Sequence, residues 1–312
     1  NGTGPYALAD WKQGDSITLK RNDAYWGDKA KAAEVVLDFI PDTQAALSGA
    51  LAGELDVLTG FDANLKDQVE ANGDFALVLG KSTDKGVLAM NSTKGPLADK
   101  RVRQAIRQAI DKKSIVEALG AGQTLYGPIP ELDPGYEDLE SSAPFDPSAA
   151  KKLLAEAGAE DITLNLTIPS FYGSTVSQIL VSNLHDVGIT LKVDNVEFPT
   201  WISDVYTNKD YELSFVLHTE ARDFENWANP DYYYTYDNPK VQDLYAQSTR
   251  ATDPDTSADL LKQAAKIVAD DQAADWLYNG ASVLAIGTDV TGFPSVNVNE
   301  RMNLADLAKT KS

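Results

Sequence analysis

The residues best equipped for chemistry lie close together between Val216 and Asn238. This stretch holds an imidazole (His218), carboxylates (Glu220, Asp223), a guanidinium (Arg222) and rings at Phe224, Trp227, Tyr232, Tyr233, Tyr234 and Tyr236. A planar guanidinium fits a carboxylate in two-point contact. Glu220 and Asp223 can hold an ammonium, and aromatic side chains give large contact area while keeping a polar edge. A ligand with both charges, such as a peptide, matches that mixture. The same residues also read as a loop anchored by its rings, with Arg222 paired internally to Glu220 or Asp223. The candidate ligand-binding residues here are His218, Thr219, Glu220, Arg222, Asp223, Trp227 and Tyr232.

Catalytic patterns are sparse. The sequence has two histidines, His185 and His218, and no cysteine, so thiol nucleophiles, disulfides and cysteine-ligated metals are excluded. It contains no Gly-x-Ser-x-Gly elbow, His-Glu-x-x-His or phosphate loop. Gly120-Ala121-Gly122 lacks the third glycine and the preceding strand of a dinucleotide fingerprint. His185, in a helical pattern, reads as a surface or boundary residue. No catalytic residue, metal ligand or cofactor is expected. A carboxylate-based hydrolase using Glu220 and Asp223 is one alternative, and a receptor or chaperone-like protein-interaction module is another.

Charge narrows the partners. Lys and Arg total 27 against 47 Asp and Glu, a formal charge of −20 over 312 residues. Such a chain repels phosphate backbones and anionic membrane surfaces, so no nucleic acid is expected. Hydrophobic residues make up 43%, enough for an ordinary core, and no apolar run approaches the roughly 18 residues of a membrane span. The start, Asn1 to Tyr6, lacks the basic and apolar regions of a signal peptide.

The elements that would carry the candidate loop follow from periodicity. Tyr211–Leu217 reads as a strand, and in open α/β sheets ligands gather beyond the carboxyl ends of strands. Upstream, Ile162–Ile168 and Ile189–Val196 alternate as strands around an amphipathic helix from Ser174 to Val187, a βαβ unit. A first βαβ unit, with a parallel strand pair, is expected over residues 35–58, where Val35–Ile40 reads as a buried strand. One long helix is expected from Asp99 to Leu119, with Val102, Ala105, Ile106, Ala109 and Ile110 on its apolar face. Strands are expected near 75–79 and 87–90 and from Trp276 to Ile286, helices over 199–206, 239–247 and 255–270, and an irregular proline-rich loop over 124–147.

Several motifs, in order along nearly the whole chain, carry a resemblance. They are Gly2-Thr3-Gly4-Pro5-Tyr6 with Arg21-Asn22 and Tyr25-Trp26-Gly27; Gly53-Glu54-Leu55-Asp56-Val57; Asn91 and Pro96 with Asp99-Lys100-Arg101-Val102-Arg103-Gln104-Ala105 and Ala109-Ile110-Asp111; and Asp146-Pro147 through Leu153-Leu154-Ala155-Glu156-Ala157-Gly158. Together they resemble the peptide/nickel class (family 5) of extracellular solute-binding proteins of ABC transporters. The resemblance implies a two-lobed α/β fold of the periplasmic-binding-protein type II-like kind, with mixed sheets flanked by helices and the N-terminal part of the family fold absent. It implies a second segment of the first lobe over 1–120, a ligand-facing main lobe over 121–286 and a return segment over 287–312. Hinges would lie near 119–124 and 287–291. It adds Trp201 to the ligand-binding candidates, near a position that often lines the cleft. It places Asp223 or Glu220 where an aspartate commonly holds a peptide's amino group, and His218 where many members have tryptophan. The implied function is capture of an oligopeptide or similar small zwitterionic solute and its delivery to a membrane permease. The implied location is extracytoplasmic, with a lipid anchor in the full-length protein.

Overall fold

The computed structural model describes residues 2–299 and 301–310. Thr83–Gly280 forms one compact unit, and the described residues on either side of it form the other.

In the flanking unit, β1 (Tyr6–Lys12), β2 (Ser16–Arg21) and β3 (Glu34–Asp38) form an antiparallel sheet in that order. Asp42 caps α1 (Thr43–Leu51) by accepting the Ala45 N–H at 2.8 Å, which satisfies one free amide of the first turn. β4 (Val57–Thr59) and α2 (Lys66–Asn72) follow. The expected parallel βαβ pair does not form: β3 pairs antiparallel with β2, and β4 pairs antiparallel with residues 284–286. The reason lies in burial. Val35 is buried but Val36 is exposed, so this strand has one wet face, as antiparallel sheets allow and parallel ones do not.

The central unit begins inside β5 (Phe75–Met90), one continuous strand where two were expected. It continues with α3 (Lys100–Ala109), α4 (Lys112–Leu119), β6 (Gln123–Thr124), α5 (Pro147–Ala157), β7 (Ile162–Pro169), α6 (Ser174–His185), β8 (Ile189–Val196), α7 (Phe198–Trp201), β9 (Leu213–His218), α8 (Glu225–Ala228), α9 (Pro239–Arg250), α10 (Pro254–Asp270) and β10 (Ala274–Gly287). The strand order is β10-β5-β9-β7-β8, with β6 on β10. β7 and β8 are parallel in full register, the expected second βαβ unit, and β9 runs parallel to β7 and antiparallel to β5. Beyond it, β11 (Val290–Thr291) pairs with β12 (Ala308–Lys309) in the flanking unit.

Two apolar clusters form the core of this unit, and strand alternation sorts residues between them. Leu88, Met90, Leu213 and Phe215 join the cluster of α3, α5 and α6, whereas Val87, Ala89 and Val216 join that of α9, α10 and the tyrosine-rich loop. A strand between two such clusters is apolar on both faces. The helix expected over 99–119 is two helices. Ile110 is extended, and Asp111 accepts the Lys113 and Ser114 N–H groups, so its side chain starts α4 instead of continuing α3.

Residues 83–120 pack in the unit of 121–280, because the apolar face of α3 shares its cluster with α5 and α6. The chain passes from one unit to the other within β5 and within β10. The segments 119–124 and 287–291 each lie inside one unit.

One buried charge cluster stitches the central unit. The Asp275 Oδ1 lies 2.6 Å from the Lys112 Nζ and 3.2 Å from the Arg107 Nε, with all three side chains essentially out of water. Arg107 also donates to the carbonyls of Ala269 and Tyr126 and to the Gln272 Oε1, and Lys112 to the Leu125 carbonyl. Burial lowers the Lys112 ammonium to about 8 in spite of Asp275. Removing one partner of a buried pair leaves charge uncompensated, at a cost of about 3–5 kcal/mol. Asp275→Asn strands two cations, so equilibrium urea unfolding of this variant will show a loss at the upper end of that range.

Candidate functional site

The site is built where β9 leaves the sheet. Antiparallel pairing sets His218 opposite Lys85 on β5, and the loop then turns back over that strand end. Thr83 donates its hydroxyl to the Thr219 carbonyl at 2.8 Å. The Lys85 ammonium reaches the Glu220 carbonyl at 2.8 Å, the Thr83 carbonyl at 3.3 Å and the Asp223 Oδ1 at 3.2 Å. The Lys85 and Asp223 side chains are 2% and 9% exposed. Burial raises the Asp223 carboxyl to about 6, outweighing the opposing pull of Lys85.

His218 lies on the same sheet face as Lys85, its cross-strand partner, and turns its Nε2 toward two tyrosines. Its Nε2 lies 2.8 Å from the Tyr233 hydroxyl and 3.0 Å from the Tyr234 hydroxyl, and its ring stacks on Tyr233. Burial, with Lys85 as the second cause, lowers the imidazole to about 3, so the ring is neutral near pH 7. The exposed Glu220 carboxylate approaches the Nδ1 only to 4.0 Å. His218, Glu220 and Asp223 are the group among the described residues whose ligand atoms, within 4.8 Å of one another, could hold a metal ion. The ammonium already seated on Asp223 opposes a second cation there.

Arg222 sits at the turn with φ +57°, a conformation that costs a non-glycine residue roughly 1–2 kcal/mol. Asp133 secures it by accepting the Arg222 N–H at its Oδ2, 2.6 Å away. The guanidinium is exposed and has no hydrogen-bond or ion-pair partner among the described residues, so the expected internal pairing to Glu220 or Asp223 is not seen.

The remaining candidates are mostly anchors. Trp227, on α8, is buried and stacks on Tyr234 at 4.0 Å, with Trp276 at its edge. Trp201 is also buried: its Nε1–H donates to the Ser214 Oγ at 2.9 Å, Phe198 lies parallel to its ring and Tyr233 meets it edge-on. Tyr232 is half-buried against Tyr206, Tyr233 and Tyr234, and burial raises its phenol. The structure therefore brings His218, Thr219, Glu220, Asp223 and Tyr232 into one corner. Trp227 and Trp201 lie in the packed layer behind it. His185 is exposed at the end of α6.

Sequence reasoning missed Lys85 and Asp133. Lys85 had a usable signal, a lysine two residues before the buried run Val87–Met90. Asp133 had none, since it lies in the irregular proline-rich stretch.

Comparison with known proteins bears on this arrangement. The sequence model for bacterial extracellular solute-binding proteins, family 5 (middle part), matches residues 1–240. The chain is 33% identical over 161 residues, half of its length, to the heme-binding protein A of Haemophilus influenzae. It is 28% identical to protein XP55 of Streptomyces lividans over 86% of its length, and 24% identical to the oligopeptide-binding protein AppA of Bacillus subtilis over 94%. It spans 29%, 54% and 59% of these three relatives. Among solved structures, the periplasmic binding protein DppA of Helicobacter pylori, in complex with the peptide STSA, superposes with TM-score 0.84 at 21% identity, over 99% of this chain and 63% of that one. The substrate-binding protein CtaP of Listeria monocytogenes gives TM-score 0.87 at 20% identity over 99% and 67%. These structural likenesses establish the fold as that of periplasmic binding proteins.

The raised Asp223 carboxyl sets a pH test. Its carbon-13 signal, identified by its loss in Asp223→Asn, will titrate with a midpoint near 6 instead of near 4. The folded chain then holds a proton between those values that the unfolded chain has released, so the contribution of Asp223 to stability falls as pH rises from about 4 to 6.

Proposed function

Because the chain belongs to the bacterial extracellular solute-binding proteins of family 5, we propose that it captures an oligopeptide or similar small solute outside the cytoplasm. It then delivers that solute to the membrane permease of an ABC transporter. The central unit, Thr83–Gly280, is assigned to the ligand-facing lobe, and the flanking residues to pieces of the first lobe. The observation that carries the reading is the loop after β9. There the exposed Arg222 guanidinium and Glu220 carboxylate share a loop with the half-buried Tyr232, which packs against Tyr206, Tyr233 and Tyr234. Relatives named for dipeptide and oligopeptide binding support it.

The role is capture, not bond-making. His218 is neutral and held by two tyrosine hydroxyls, and the Asp223 carboxylate is joined to Lys85, so neither group stands ready to relay a proton to a substrate. What the loop offers is fixed donors and ring faces that replace the water around a solute. A solute can drive closure only through its higher affinity for the closed state.

Arg222 is the exposed cation of this loop and is assigned the solute carboxylate. Charge-assisted hydrogen bonds contribute about 1.5–3 kcal/mol, so Arg222→Ala will weaken binding of di- and tripeptides roughly 10- to 150-fold. Titration calorimetry on the full-length protein reads this directly. Unchanged affinity would remove Arg222 from the site.

A further inference from the structure

Lys85 puts an ammonium of the protein's own where the family resemblance would lead one to expect the ammonium of a solute. Its three N–H donors have three acceptors: the carbonyls of Thr83 and Glu220 and the Asp223 carboxylate. An ammonium has three donors and no more, so the group is fully satisfied. The pair lies out of water. An incoming amine could reach Asp223 only by expelling Lys85 and leaving that cation buried without a partner, which is strongly unfavourable. The exposed Glu220 carboxylate stays in water, where an ion pair contributes little. The cation of the loop, Arg222, is by contrast exposed, fixed at φ +57° by Asp133 and without an acceptor among the described residues. Strained backbone of this kind collects at ligand-contacting positions.

We propose that Lys85 is a built-in counter-ion that closes Asp223 to solute amines. The site then selects solutes that offer a carboxylate to Arg222 and need no free ammonium: N-blocked peptides and comparable organic monoanions. The inference rests on the solute-binding reading and sharpens it, since it withdraws half of the zwitterion recognition expected from the residue types alone.

Two measurements separate the parts. The first needs no solute. Lys85→Ala removes the atoms of an n-propylammonium ion, so the variant will melt below wild type, and added n-propylammonium will restore much of the lost melting temperature. An equal concentration of n-propanol will not, and the rescue will vanish in Lys85→Ala/Asp223→Ala. Equal rescue by the alcohol, or rescue persisting in the double variant, overturns the counter-ion assignment. Should Lys85→Ala not fold, Lys85→Met deletes the charge and keeps most of the stem. The Asp223 carboxyl must then titrate above its wild-type midpoint, and an unchanged midpoint overturns the assignment.

The second is calorimetry of the full-length wild-type protein with Ala-Phe, N-acetyl-Ala-Phe and Ala-Phe amide. Acetylation should change Kd by less than about threefold and amidation should weaken binding at least about tenfold, the latter being roughly 1.4 kcal/mol. Loss of binding on acetylation overturns the proposed selectivity. Binding of none of the three, with the propylammonium rescue intact, overturns the peptide reading and leaves the counter-ion assignment standing.

Discussion

The central unit depends on charge buried at a helix–strand junction. Arg107 and Lys112 enter from α3 and α4 and converge on Asp275 at the start of β10. Because an unpaired charge in that position is so costly, the two helices, the end of α10 and the strand can be joined in few ways. The consequence reaches the loop. Trp276 follows Asp275 and lies under the Arg107 guanidinium at 5.4 Å. Trp276 meets Trp227 edge-on, Trp227 stacks on Tyr234, and the Tyr234 hydroxyl bonds His218. Each contact is short-ranged and tolerates little displacement in a close-packed interior. The position of the imidazole is thus tied, ring by ring, to a carboxylate on another strand.

Lys85 and Asp223 repeat this device at the site itself, with a different outcome. Asp275 binds two cations deep in the unit, whereas Asp223 binds one at the edge of the loop, next to groups that water reaches. Burial raises the carboxyl of Asp223 and the attraction of Lys85 pulls it back, a balance between desolvation and a neighbouring charge. The same ammonium helps to keep His218 neutral. Burial comes first in both cases, and one lysine adds to it at His218 and opposes it at Asp223.

Much of the frame was legible in the sequence, because its signals are local. The β7–α6–β8 unit and the strand leading into His218 follow from alternation and helical spacing. Motifs spaced along the chain identified the family. What stayed hidden is decided by distant contacts. Val35-Val36-Leu37 is apolar, yet only tertiary packing exposes Val36. Asp111 could have sat within one long helix, and its cap at α4 breaks the element. At the site, residue types placed the loop correctly but not its partners: Lys85 lies 138 positions before Asp223 and Asp133 lies 89 before Arg222. Trp227 and Trp201 looked like ligand contacts because a ring suited to a solute is equally suited to a core.

The loop between these anchors is ordered at both ends before any solute arrives. Arg222 is held by Asp133, and Thr235, also at positive φ, bonds the Asn91 Oδ1 at 3.2 Å. Asn91 is itself buried and donates to the carbonyls of Lys209 and Tyr211. Ordering a loop during binding subtracts from affinity, while a loop ordered by the fold does not. The left-handed residues and the buried counter-ion thus have a common effect. They transfer the cost of arranging the loop to folding, where two core clusters and the Asp275 junction offset it, and they leave the Arg222 guanidinium without an acceptor among the described residues.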